Sequence, residues 1–287
     1  MKRHLPHLLL CLSMVCFAAA WWLHRRQFIR YIELESPPPG MTHAGLYLSH
    51  EIRHPAGILV LCDGVNSIGG GLIRQEEWRA FARKHRLVLA EVAFASADGF
   101  HDPASNCYYY AKNGSGDALL RLLDERFPAR PPLLLFGFSG GGHFASRFQE
   151  WRPDRVKAWA VSGVNWWDAP SPESPESYPP GIILIGEHEG NLVQSIRAFR
   201  NRNALGRRVL WCGLKDFEHA MPYHALPLVR EFFATLLDIS SPQWQPAEID
   251  GEAAGLVPSP AVKTIWEKIP KILAVEPELT EEDTPGQ

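Results

Sequence analysis

Short apolar runs alternating with longer stretches at helical spacing constrain this chain more than any other feature. "AGILVLCDG" (56–64) is apolar on both faces and stops at Asp63 and Gly64; "RQEEWRAFARKHR" (74–86) then sets Trp78, Phe81 and Ala82 at helical spacing. Further apolar runs, "LVLAEVAF", "PPLLLFGF", "RVKAWAVSG", "GIILIGE" and "RRVLWCGL", are interspersed with helical patterns over 117–127, 141–151, 191–205 and 224–238. Buried strands returned through helices of this length form a parallel sheet covered on both faces. Two earlier runs, "FIRYIEL" and "AGLYLSHEI", read as additional strands. The expected fold class is therefore α/β, a mostly parallel central sheet with helices on both faces. No separate cap domain is expected, because "VNWWDAPSPESPESYPP" (164–180) is a Pro- and Ser-rich loop too short to fold alone.

Two terminal regions flank this α/β domain, which is expected over residues 29–240. Residues 1–23 read as a signal peptide or an N-terminal anchor: "MKRHLP" is basic, "HLLLCLSMVCF" is apolar, and Ala18, Ala19 and Ala20 are the small residues that a signal peptidase accepts. Either form exports the remainder, to the periplasm or the extracellular space, and an uncleaved segment tethers it to a membrane. Residues 241–287 are rich in Pro and acid, with a helical pattern only around "AVKTIWEKI". This tail is expected to dock partly, through Trp244 and Trp266, and to end in a disordered acidic stretch.

Cys62, Cys107 and Cys212 lie outside the N-terminal segment and show no C-x-x-C spacing; Cys62 and Cys212 end apolar runs and read as small buried residues. The formal net charge is −3, with Lys and Arg scattered along the chain, which disfavours a nucleic acid partner.

In a parallel sheet, ligands gather at the carboxyl ends of the strands, so the residues just after each strand carry the functional information. After "PPLLLFGF" comes Gly137-Phe138-Ser139-Gly140-Gly141, with a helix following. The G-x-S-x-G pattern between strand and helix turns the chain sharply and holds the serine in front of the sheet at a helix N-terminus. Ser139 is the candidate nucleophile. It needs a base, and His219, after the last buried strand and the loop "KDFE", is better placed than His224, which lies nearer the final helix. The base needs a carboxylate. Glu189 on the turn after "GIILIGE" is favoured, with Glu187 and Asp168 as alternatives; the order Ser, acid, His is that of the strand–elbow–helix arrangement. Backbone N–H groups of Gly140 and of Val65, in the loop after "AGILVLC", are the candidate oxyanion donors. Trp166, Trp167 and Tyr109, the last flanked by Tyr108 and Tyr110, are candidate walls of a substrate pocket. "GEHEG" offers His188 between two glutamates but no second histidine at helical spacing, so no metal is expected.

The strand "LLLFGF", the elbow "GFSGGG", the acid after "GIILIGE", the histidine in "KDFEHAMP" and the loop "CDGVN" together resemble the α/β-hydrolase superfamily over about residues 40–240. Without an inserted cap, the chain is most similar to compact members such as the dienelactone hydrolases and the polyhydroxybutyrate depolymerase or feruloyl esterase type. Two departures stand out: the acid is Glu where that superfamily usually has Asp, and Asp63-Gly64 replaces a common His-Gly in the first oxyanion loop. The resemblance implies a cofactor-free serine hydrolase working through an acyl-enzyme on a small-molecule or polymeric ester. A peptidase or amidase would use the same triad, and an exported, non-catalytic binding module would keep the fold alone.

Overall fold

In the computed structural model, described residues are 29–49, 52–172, 178–238 and 242–275, together with Met14. Apart from Met14, the signal or anchor segment lies outside this set, as does the acidic end from 276. Among the described residues, no helix is long and apolar enough to cross a membrane.

The chain builds a single mixed sheet. Its strands are β1 (Arg30–Glu33), β2 (His43–Leu48), β3 (Gly57–Cys62), β4 (Leu87–Ala95), β5 (Leu133–Phe138), β6 (Val156–Ser162), β7 (Gly181–Gly186), β8 (Val209–Leu214), β9 (Gln245–Ile249), β10 (Glu252–Val257) and β11 (Lys271–Ile272). The described helices are α1 (Glu76–Lys84), α2 (Ser115–Asp124), α3 (Gly140–Trp151), α4 (Leu192–Ala204), α5 (Leu226–Asp238) and α6 (Pro260–Lys268). Strand order is β1-β2-β4-β3-β5-β6-β7-β8-β10-β9, with β11 also on β8. The ladders from β4 through β8 are all parallel, which makes the sheet mostly parallel at its centre. β3, β7 and β8 are buried along their whole length, as strands covered by helices on both faces must be.

Strand order places the crevice. From β3 the chain crosses to β4 on one side and returns to β5 on the other, so connections leave β3 and β5 in opposite directions. Such a reversal opens a gap at the carboxyl ends of the two strands. Cys62 pairs with Gly137 at the top of this ladder, which brings the loop from Asp63 and the turn at Ser139 to one point.

The helices follow from pattern and charge. α1 buries Trp78, Phe81 and Ala82, with Glu76 and Glu77 in its first turn and Arg83 and Lys84 in its last, each charge complementing the helix dipole. α6 starts at Pro260, and the Ser259 side chain caps it by accepting from the Val262 N–H. Cys62, Cys107 and Cys212 are buried free thiols.

The segment after 241 differs from the sequence expectation. Residues 242–275 add β9, β10 and β11 to the sheet, so its border does not fall at residue 240. The overlooked signal is "IDGE". Asp250 and Gly251 both take positive φ (50° and 86°), and Ile249 pairs with Glu252, which makes a two-residue hairpin of the kind that Asp-Gly favours. Pro246 and the acidic residues mask the strands on either side of that turn. Trp266 is buried and donates its indole N–H to the Trp211 carbonyl (2.8 Å), while Trp211 donates to Ile272 O (3.0 Å). Trp244 packs less deeply, against Phe232. Trp266→Ala is expected to lower the unfolding free energy by about 3–5 kcal/mol, the usual cost of emptying a large buried aromatic site. Urea denaturation checks this, and a loss below about 1 kcal/mol would show the segment to be dispensable.

Candidate active site

The site begins with a backbone that only close packing can hold. Ser139 has φ 51° and ψ −118°, a strained conformation for a residue with a side chain. Its N–H donates to Ser162 O on β6 (2.8 Å), and its carbonyl accepts from the His143 N–H (3.0 Å) as α3 begins. The next two residues lie against the end of β3. A Cβ on Gly141 would overlap the Cys62 carbonyl, and one on Gly140 would lie 2.7 Å from Val65 Cα and 2.8 Å from Val65 N. Glycine is therefore required here for the approach of two backbones. The Gly141 N–H donates to Asp63 O (2.9 Å), tying the elbow to the loop after β3.

Three side chains from three strand ends meet in front of this turn. His219 Nε2 is 2.9 Å from Ser139 Oγ, and His219 Nδ1 is 2.6 Å from Glu189 Oε2. The Glu189 side chain is only 1% exposed, whereas that of His219 is 41% exposed. A buried carboxylate touching one ring nitrogen fixes the tautomer and leaves the other nitrogen free to accept a proton from the serine. Phe138 stacks on the outer face of the imidazole at 5.3 Å, and the Gly163 backbone lies against its edge.

The other two acids lie elsewhere. Glu187 accepts the Asp216 N–H (2.8 Å) at the surface, where its carboxylate, His188 and Asp216 bring their polar atoms within 4.8 Å of one another. Asp168 is held by Arg147 through two hydrogen bonds of 3.0 Å. His224 packs edge-on against Phe217.

The oxyanion candidates adjoin each other. Gly140 is the first residue of α3, so its N–H has no acceptor within the helix. Val65 lies beside it on a loop pinned at several points. Asn66 donates to Ser96 O and accepts from Ser96 N (3.0 Å each), and its own N–H donates to the Tyr108 hydroxyl (3.2 Å). Asp63 accepts from Gly64 N (2.8 Å), Tyr47 donates to Ile68 O (2.9 Å), and Arg74 donates to the carbonyls of Gly69 and Gly70.

Of the expected pocket walls, Trp166 faces the exposed His101, stacked at 4.5 Å, and meets His143 on another side. Tyr109 is buried behind His143, stacked at 4.8 Å. Trp167 turns away, donating to Val164 O and Ser195 Oγ beneath the Arg202 guanidinium.

Two titratable residues at the site escape a reading based on strand ends. His143, one turn into α3, is buried; its Nδ1 accepts from Arg147 (3.2 Å), and burial pushes its pKa down to about 3, so the ring stays neutral. Its i+4 spacing from Ser139 was the available signal. Glu91, in the middle of β4, is fully buried, and burial pushes its carboxyl up to about 7. A single charged residue in the apolar run "LVLAEVAF" was the available signal there.

No protein-family model and no curated protein matches the sequence. Solved structures do match its fold. The fluorophosphonate-binding serine hydrolase F of Staphylococcus aureus is 15% identical with a TM-score of 0.51, covering 74% of this chain and 99% of that one. An S-formylglutathione hydrolase from Agrobacterium tumefaciens is 14% identical with a TM-score of 0.51, covering 73% and 94%. A hyperthermophilic esterase from the archaeon Pyrobaculum calidifontis is 13% identical with a TM-score of 0.51, covering 74% and 87%. With a parallel core, an elbow serine after β5 and a histidine after β8, the chain has the α/β-hydrolase fold.

Proposed function

We propose that this protein is an exported serine hydrolase that cleaves carboxylic esters through an acyl-enzyme. The observation that carries the reading is the unbroken relay from Ser139 Oγ through His219 to buried Glu189, at 2.9 and 2.6 Å. Ser139 attacks the ester carbonyl while His219 Nε2 takes the hydroxyl proton, and Glu189 stabilises the imidazolium that results. The carbonyl oxygen becomes an oxyanion facing the N–H groups of Gly140 and Val65, a term worth about 3 kcal/mol per donor. Collapse of the tetrahedral adduct expels the alkoxide, which takes the proton back from His219. A water molecule, deprotonated by the same ring, then releases the acid and restores Ser139.

Ester chemistry is favoured because the matching structures include an S-formylglutathione hydrolase and esterases. Trp166 and His101 supply an aromatic wall suited to a small-molecule acyl group or the end of a polymeric ester. Export rests on the basic, apolar and small-residue order of residues 1–20, and an uncleaved segment would hold the enzyme at a membrane.

Ser139→Ala is expected to leave the fold intact and to cut turnover of a short p-nitrophenyl ester by at least about 10³-fold, with loss of fluorophosphonate labelling. Unchanged turnover in that variant would remove the assignment. Glu189→Gln keeps the shape of the side chain but loses the charge beside the imidazolium, so kcat is expected to fall about 10²–10⁴-fold with KM little changed. Steady-state kinetics at saturating ester tests it, and a Gln variant as fast as the parent would return the role to another group.

A further inference from the structure

The loop from Asp63 to Arg74 carries Val65, and its far end rests on an acid that the relay does not use. Glu91 lies in mid-β4, between Leu61 of β3 and Tyr47 of β2, with no exposed surface. Its Oε2 accepts the Ile73 N–H at 2.6 Å, while Oε1 is buried without a partner. Asn66 clasps Ser96 just beyond the end of the same strand. β4 therefore grips the loop on both sides of its tip.

We propose that Glu91 is a positioning residue, whose ionised carboxylate pins Ile73 so that the loop aims the Val65 N–H at the oxyanion. This rests on the hydrolase reading above. The groups facing Glu91 are the Asp63 carboxylate and Cys62 thiol at the end of β3, the Arg74 guanidinium past Ile73, and the Tyr47 phenol across the ladder on β2. Burial and Asp63 oppose ionisation, while Arg74 and the backbone donors at Leu72 and Ile73 favour it. With a carboxyl that titrates at about 7, the pin changes strength within the neutral range. A neutral acid still accepts from Ile73, but through an uncharged oxygen that holds the N–H less firmly.

Glu91→Gln keeps an acceptor for the Ile73 N–H and cannot ionise. The ratio of parent to Gln-variant kcat on a short p-nitrophenyl ester is expected to rise from about one at pH 6 to about tenfold at pH 8, with KM within about twofold throughout. A purely structural role would give a ratio independent of pH, and that flat ratio would overturn the proposal. Stability supplies a second readout of opposite sense. The folded pKa of Glu91 exceeds the ordinary value of about 4.3, so its contribution is complete below that value and is lost as pH rises through about 7. The parent is expected to lose thermal stability between pH 5 and 8 more steeply than Glu91→Gln. Should the variant fail to fold, the Ile73 amide of the parent serves instead: its NMR shift is expected to titrate with a midpoint near 7, and a shift flat from pH 5 to 9 would refute the idea. Turnover that survives Ser139→Ala overturns the hydrolase reading and this role together. Turnover lost in Ser139→Ala with a flat ratio overturns the role of Glu91 alone.

Discussion

The contact between the end of β3 and the turn after β5 governs everything else at the site. Gly140 and Gly141 let the elbow backbone press against Cys62, Asp63 and Val65, and the Gly141 N–H secures it on Asp63 O. That contact allows Ser139 to keep a backbone conformation which costs on the order of 1–3 kcal/mol, because the hydrogen bonds on either side leave it no alternative. It also sets the first N–H of α3 beside the loop after β3. The strained turn at Ser139 and the juxtaposition of Gly140 with Val65 thus have one origin, the approach of two backbones where strand order reverses.

Around that contact, burial divides the charged groups by task. The Glu189 side chain is enclosed while that of His219 is open, so a buried carboxylate holds one edge of a ring whose other edge is accessible. Asp168 belongs to a different network, in which Arg147 links it to the neutral His143 under Trp166. That network packs against Trp166, and its side chains make no hydrogen bond to those of Ser139, His219 or Glu189.

Much of this was legible in the chain. Apolar runs long enough for a strand, spaced by helices, determine a parallel sheet, and chain order alone puts Ser139, Glu189 and His219 on the same edge. Spacing could not choose among Glu187, Glu189 and Asp168, since one residue along a turn redirects a side chain and the choice rests on which carboxylate folds inward. It also could not find Glu91, because a carboxyl inside an apolar strand acquires meaning only when the loop lying across it is known. The β9–β10 hairpin failed for another reason: Pro246 and the surrounding acids suggest a solvated tail, and the Asp250-Gly251 turn outweighs them only when β8 offers an edge to pair with.

That hairpin has a consequence for how the molecule meets its neighbours. β8 would otherwise end the parallel core as an apolar edge, an invitation to strand addition by another chain. With β10 and β11 laid along it, the border passes outward to β9, five residues containing Pro246 and Glu248, while the opposite border is β1, four residues bearing Arg30 and Glu33. Both margins are short and interrupted by charge or proline, features that discourage sheet-to-sheet growth. Such margins limit association between copies of the chain, independently of any chemistry at Ser139.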